Sequence, residues 1–172
     1  TQQVSSAASD VYKRQGLQFC DGITTADIQE ILVKSASDLI ELDHPNYQFV
    51  AARLLLFGLR KAVHNHHEDH PFILHHVMKA SENGVYDKGI LEKYTDEEWR
   101  EIDSYIDYGR DYLFTYAGLR QIVDKYLVQD RSTGEHYETP QQMYIMIAAT
   151  LFAEYPQETR LDYVRRYYNA IS

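Results

Sequence analysis

The sequence predicts a mainly α protein of packed helices with one short β-hairpin near residues 126–138. Three observations predict it. Apolar residues recur at i, i+3, i+4 and i+7 in several separate windows, the spacing that places them on one helix face. Capping boxes stand directly before two of those windows, at Thr95 and Thr139. Strand chemistry is confined to one place, where the β-formers of 126–129 and 136–138 flank a polar turn at 130–134 that ends in Gly134.

Taken in order, residues 1–15, TQQVSSAASDVYKRQ, are polar and lack either period, so they read as a disordered tail. Stretches like SSAASDVYKRQ also arise as translated read-through at the ends of assembled fragments, and the tail is excluded from the fold. Between residues 25 and 41, Ile28, Ile31, Leu32, Ser35, Ala36, Leu39 and Ile40 define an amphipathic helix capped by Thr24 or Thr25. His44-Pro45-Asn46 breaks the chain. A second helix follows over 47–63, with Val50, Leu54, Leu55, Phe57 and Leu59 as its apolar surface, and the two should form an antiparallel pair.

After a histidine-rich loop, residues 72–82 form a short helix stopped by Asn83-Gly84. Thr95 opens a helix whose docking face is Trp99, Ile102 and Ile106, and a further helix covers 117–125. Thr139 is an N-cap with Pro140 at the first helical position and Gln142 three residues after the cap. Residues 143–152 are apolar or small on every face, so this helix should be packed on most sides. Pro156 ends the segment, and Leu161, Val164, Tyr168 and Ile171 face the last helix inward.

Composition narrows the function. A chain of 172 residues can bury about two thirds of its surface. Its 17 basic and 26 acidic residues give a net charge of −9 with no basic block, which argues against nucleic acid as a partner. The longest apolar run, 143–152, is about half of a membrane span, and no signal-peptide pattern is present, so a cytoplasmic location is expected. The single cysteine, Cys20, excludes an internal disulfide and any chemistry within this chain that needs a cysteine pair.

The cluster His64, His66, His67, Glu68, Asp69 and His70, with His75 and His76 nearby, has the composition of a metal site. Its spacing matches no ligand pattern and it falls in a loop without a scaffold, so no metal is expected there. The 15 tyrosines read as packing groups with a polar tip.

The stretches KYLVQDRSTGEHYETPQQMYIMIAATLF and YPQETRLDYVRRYYNAIS resemble the N-terminal helical region of the large, catalytic subunit of class I ribonucleotide reductase. YTDEEWREIDSYIDYGRDYLFTYAGLRQIVDKYL and DGITTADIQEILVKSASDLI continue the resemblance, which covers 16–172. It implies that 16–66 is the C-terminal half of an ATP-cone, the module that senses ATP against dATP, and that 67–172 is the N-terminal helical domain. The cone's opening hairpin, with its Lys-Arg-Asp-Gly-type phosphate motif, is not matched, and Lys13-Arg14 lacks the following Asp-Gly.

Of the remaining cone positions, the resemblance assigns effector contacts to Thr25, at a helix N-terminus where it would donate to a phosphate or ribose, and to Lys61, which would pair with a phosphate. Gln29 stands where many relatives carry histidine, a departure at one base or sugar contact. The plain alternative is that Thr25 only caps and Lys61 is only a solvated lysine. ATP or dATP would be the effector and no other cofactor is implied.

The family's barrel, radical cysteine and cysteine pair are unmatched, so the chain is expected to be a truncated piece without catalytic residues, inactive alone. In the full-length enzyme the implied partners are a radical-generating small (beta) subunit and a second large subunit. Two other readings stand beside this. A nucleotide-sensing regulator would carry an intact phosphate motif and a DNA-binding element, and a non-catalytic helical interaction domain would be stable and monodisperse.

Overall fold

A computed structural model describes residues 22–66 and 70–172; the tail expected at 1–15 and Cys20 lie outside the described residues. Within them, α1 (Thr25–Ser37) and α2 (Tyr47–His64) pack along one another. Gln29, in the first half of α1, meets Leu54 and Gly58 around the middle of α2, and the short 38–46 connection between two helices packed on each other gives the antiparallel pair that the sequence predicts. Thr24 is the cap of α1: its hydroxyl accepts from the Asp27 amide at 3.1 Å while the Asp27 carboxylate takes the Thr24 amide at 2.9 Å. Thr25 is therefore the first helical residue. The C-terminus of α2 is closed by Asn65 at φ 63°, a left-handed conformation that asparagine tolerates better than most residues.

At Gly58 a side chain of α1 lies directly against the backbone of α2. A Cβ there would stand 2.9 Å from Gln29 Cγ, and the Gln29 amide nitrogen donates to the Leu54 carbonyl at 2.5 Å. Two effects of about 1 kcal/mol then oppose each other in Gly58→Ala: the gain in helix propensity and the loss of this packing and hydrogen bond. The substitution should be near neutral in the natural background and stabilise by about 1 kcal/mol once Gln29 is alanine. Urea unfolding of the four proteins of this cycle checks it; additive effects would refute the contact.

The remaining elements are α3 (Ile73–Glu82), α4 (Gly89–Lys93), α5 (Asp96–Ser104), a 3-10 helix (Tyr108–Leu113), α6 (Tyr116–Lys125), α7 (Pro140–Phe152) and α8 (Gln157–Ile171). The capping box at Thr95 is present, with the Glu98 carboxylate 2.8 Å from the Thr95 amide. Glu98 does more than cap. It is buried and is held by Arg160 of α8 through Nε at 2.7 Å and through Nη2, so the box also locks α5 to α8.

Two apolar clusters meet at α7. Ile145, Ala148 and Ala149 pack with Ile73 and Val77 of α3, Trp99 and Ile102 of α5, and Val164 and Tyr168 of α8. Met143 instead joins Leu56 and Leu59 of α2 and Leu119 and Val123 of α6. The helix with no polar face is thus the wall between two cores. Its coverage is incomplete, because Ile147 and Leu151 are 39% and 54% exposed along one stripe. Among the described residues no helix is long and apolar enough to cross a membrane.

The hairpin expected at 126–138 has no strands: the Tyr137 amide donates to the Val128 carbonyl at 3.0 Å and the Asp130 amide to the Glu135 carbonyl at 2.8 Å, and the pairing goes no further. Gln129 and His136 make one isolated antiparallel bridge, and the described residues contain no strand. The reason lies in where the backbone donors go. The amides of Tyr126 and Leu127 donate to the Ile122 carbonyl at 2.9 and 3.1 Å, finishing α6, and the Val128 amide donates to the Glu138 carboxylate at 2.8 Å. A ladder has too few donors left on this side to extend.

Candidate functional site

The three residues assigned to effector binding converge. Thr25 at the start of α1, Gln29 one turn later and Lys61 in the last turn of α2 line one groove of about 850 Å³ between the α1–α2 pair and α6. Thr25 and Lys61 are exposed, and Lys61 makes no ion pair among the described residues. Gln29 differs. Its amide nitrogen is bonded to Leu54 and its stem fills the space over Gly58, so it shapes the groove's floor.

Sequence reasoning missed the contribution of α6. Tyr116 and Arg120 of α6 line the same groove, as does His136, whose Nε2 lies 3.1 Å from the Val123 carbonyl and ties the 130–136 turn to α6. Arg120 has a sequence signal only as an i, i+4 partner of Asp124, at 3.2 Å, which is the ordinary pattern of a solvated helix face. The groove inverts the charge balance of the chain: three of the 17 basic residues line it, Lys34, Lys61 and Arg120, against one of the 26 acidic residues, Glu30. Its chemistry suits an anion carrying an apolar or aromatic part.

The histidines gather where α2 meets α3. The His64 ring lies 6.0 Å from His66 and His70 and 6.2 Å from His76, centroid to centroid, and His70 stacks on Tyr108 at 3.5 Å. Burial holds His64, His70 and His76 down at about 4, and nearby basic side chains add to it: His66, Lys79 and Arg60 beside His64; Arg60, His64 and His66 beside His70; His64 and Lys79 beside His76. At neutral pH these rings are uncharged. Among the described residues no group of three or more His, Cys, Asp or Glu side chains stands where it would hold a metal ion. His67, Glu68 and Asp69 lie outside the described residues.

Beneath the histidines a buried polar chain joins four elements. Arg60 of α2 pairs with Asp111 of the 3-10 helix at 3.0 Å, Gln141 of α7 donates to the other Asp111 oxygen at 2.9 Å, and the Tyr168 hydroxyl of α8 donates to Gln141 at 2.6 Å. Arg60 and Asp111 are 4% and 1% exposed. Burial raises the Asp111 carboxyl above its ordinary value, opposed by the bonds from Gln141 and Arg60. A second buried carboxylate, Glu138, accepts from the Tyr86 hydroxyl and the Val128 amide; burial raises it too. Neither carboxylate opens onto the groove, and both read as structural.

Comparison with known proteins agrees with this architecture. A family model described as the ribonucleotide reductase all-alpha domain matches residues 112–172. The chain is 51% identical over 166 residues to the ribonucleoside-diphosphate reductase 1 subunit alpha of Salmonella typhimurium, covering 96% of this chain and 22% of that protein. It is 51% identical over 164 residues to the subunit of the same name from Escherichia coli, covering 95% and 21%. The subunit alpha of Enterobacteria phage T4 is 44% identical over 152 residues, covering 88% and 20%. The chain spans about a fifth of the length of these relatives. With nearly every described helix inside that alignment, the chain belongs to the family of ribonucleoside-diphosphate reductase alpha subunits.

Proposed function

We propose that this chain is part of the large subunit of a ribonucleoside-diphosphate reductase, which reduces ribonucleoside diphosphates to deoxyribonucleoside diphosphates for DNA synthesis. Its own share is effector sensing and support of the catalytic region. Chemistry by a thiyl radical with a dithiol reductant needs three cysteines and this chain has one, so the chain alone is inactive. The open stripe of α7, Ile147 and Leu151, is surface for the rest of the enzyme, which also engages a small beta subunit and a second large subunit.

The observation that carries effector sensing is the meeting of Thr25, Gln29 and Lys61 on one groove although Lys61 lies on the next helix, more than thirty residues away in sequence. ATP or dATP is the ligand. Lys61 holds a phosphate as a point charge, the Thr25 hydroxyl donates to a phosphate or the sugar, and Gln29 sets the depth of the floor. Isothermal titration of the chain with dATP should show binding that Lys61→Ala weakens about tenfold, the loss of one charge-assisted contact. No heat with the natural chain, or equal affinity for the variant, refutes the site.

A further inference from the structure

We propose that Arg120 of α6 is a phosphate ligand of this groove, so that a bound nucleoside triphosphate bridges α2 to α6 and fastens α1 to the body of the protein. The inference rests on the effector reading above and adds to it a residue from outside the α1–α2 pair. Three observations support it. Arg120 lines the same groove as Lys61 and Thr25, from α6, in a chain whose remaining residues carry 14 basic side chains against 25 acidic ones. Its Cα is fixed, because Leu119, Ile122 and Val123 on either side are buried against α2 and α7. Its ion pair with Asp124 is exposed on both sides, at 44% and 48%, and an exposed pair of that kind is worth little beside a bidentate phosphate contact.

The rest of the groove fits the remainder of such a ligand. Leu55, Phe57 and Tyr116 supply apolar and aromatic surface for a base, and the volume lies within the range of small-molecule sites. The consequence is regulatory. The principal packing partner of α1 is α2, so α1 has little of its own to hold it to the helical body. A ligand touching Thr25 and Arg120 together adds that link, and its binding free energy becomes stabilisation of α1 in place.

The test titrates the natural chain, Arg120→Gln, Lys61→Gln and Asp124→Asn with dATP and, separately, with inorganic triphosphate, and follows amide exchange in α1. Circular dichroism checks that each variant is folded. Arg120→Gln should weaken both ligands about tenfold and abolish the slowing of α1 exchange by dATP, and Asp124→Asn, which frees Arg120, should tighten both. If Lys61→Gln weakens binding and Arg120→Gln leaves it unchanged, the bridge is overturned and the effector reading stands. If the natural chain binds neither ligand, both fall. Binding of dATP without triphosphate binding, unaffected by Arg120→Gln, also overturns the bridge.

Discussion

Asp111→Ala is expected to destabilise the chain by about 3–5 kcal/mol, a large part of the 5–15 kcal/mol that holds a domain of this size together. The cost is the group left behind. Arg60 is 4% exposed, and without Asp111 its guanidinium keeps the Tyr112 hydroxyl at 3.0 Å, the face of the Tyr112 ring at 5.1 Å and the Tyr108 carbonyl at 3.3 Å, none of which carries a full countercharge. Gln141 loses its acceptor at the same time, and through it Tyr168 loses the partner that aligns its hydroxyl with the Asp107 amide at 2.9 Å. Removing both charges at once, in Arg60→Met with Asp111→Leu, should cost far less than Asp111→Ala, because no buried charge is then orphaned. Urea denaturation of the three proteins decides it. A cost below about 1 kcal/mol for Asp111→Ala would mean that water reaches Arg60 and that the pair is no junction.

Acid should loosen the same junction. His64, His70 and His76 are held at about 4 in the fold against 6.5 ordinarily. Between those values the unfolded chain binds more protons than the folded one, so stability falls as pH is lowered. The contribution is complete above about pH 6.5 and lost by about pH 4. Each fully buried ring would account for about 3 kcal/mol; solvent reaches His64 and His70, and the three titrate together, so a total loss of about 3–5 kcal/mol is expected. Asp111 and Glu138, whose carboxyls are raised by burial, act with the opposite sign and flatten the lower part of the curve. Unfolding free energy measured at half-unit steps from pH 7.5 to 4.5 should fall throughout. His76→Gln, which keeps a polar group beside Tyr86 and cannot be protonated, should remove about a third of the slope. A flat profile in the natural chain would show that these rings are solvated.

The helices were legible because their signals are local. Thr95 with Glu98, Asn83-Gly84, and Thr139 with Pro140 each act within one turn of backbone, and periodicity located the buried faces of α5 and α8 and part of that of α1, where Ser35 and Ala36 are buried as expected but Val33 is buried too and Ile40 is exposed. The hairpin was misjudged for a reason that is also physical. Turn residues and β-formers mark a segment as able to pair, but whether the amides of Tyr126, Leu127 and Val128 are free to do so depends on the end of α6 and on the side chain of Glu138, ten residues beyond Val128. The exposed stripe of α7 was hidden in the same way, since an all-apolar helix does not say which face a neighbour covers.

By itself the sequence determined the helical class, the caps, the antiparallel α1–α2 pair and the family, all carried by residue types at short spacing or by long runs of likeness. Only the tertiary structure decided that Arg60, Asp111, Gln141 and Tyr168 form one buried chain, and that Arg120 and Tyr116 line one groove with Lys61. Those contacts join residues tens of positions apart. Each of the side chains has an ordinary exposed role open to it, and it is the packing of α2 against α6 and α7 that takes it from water or aims it at a partner.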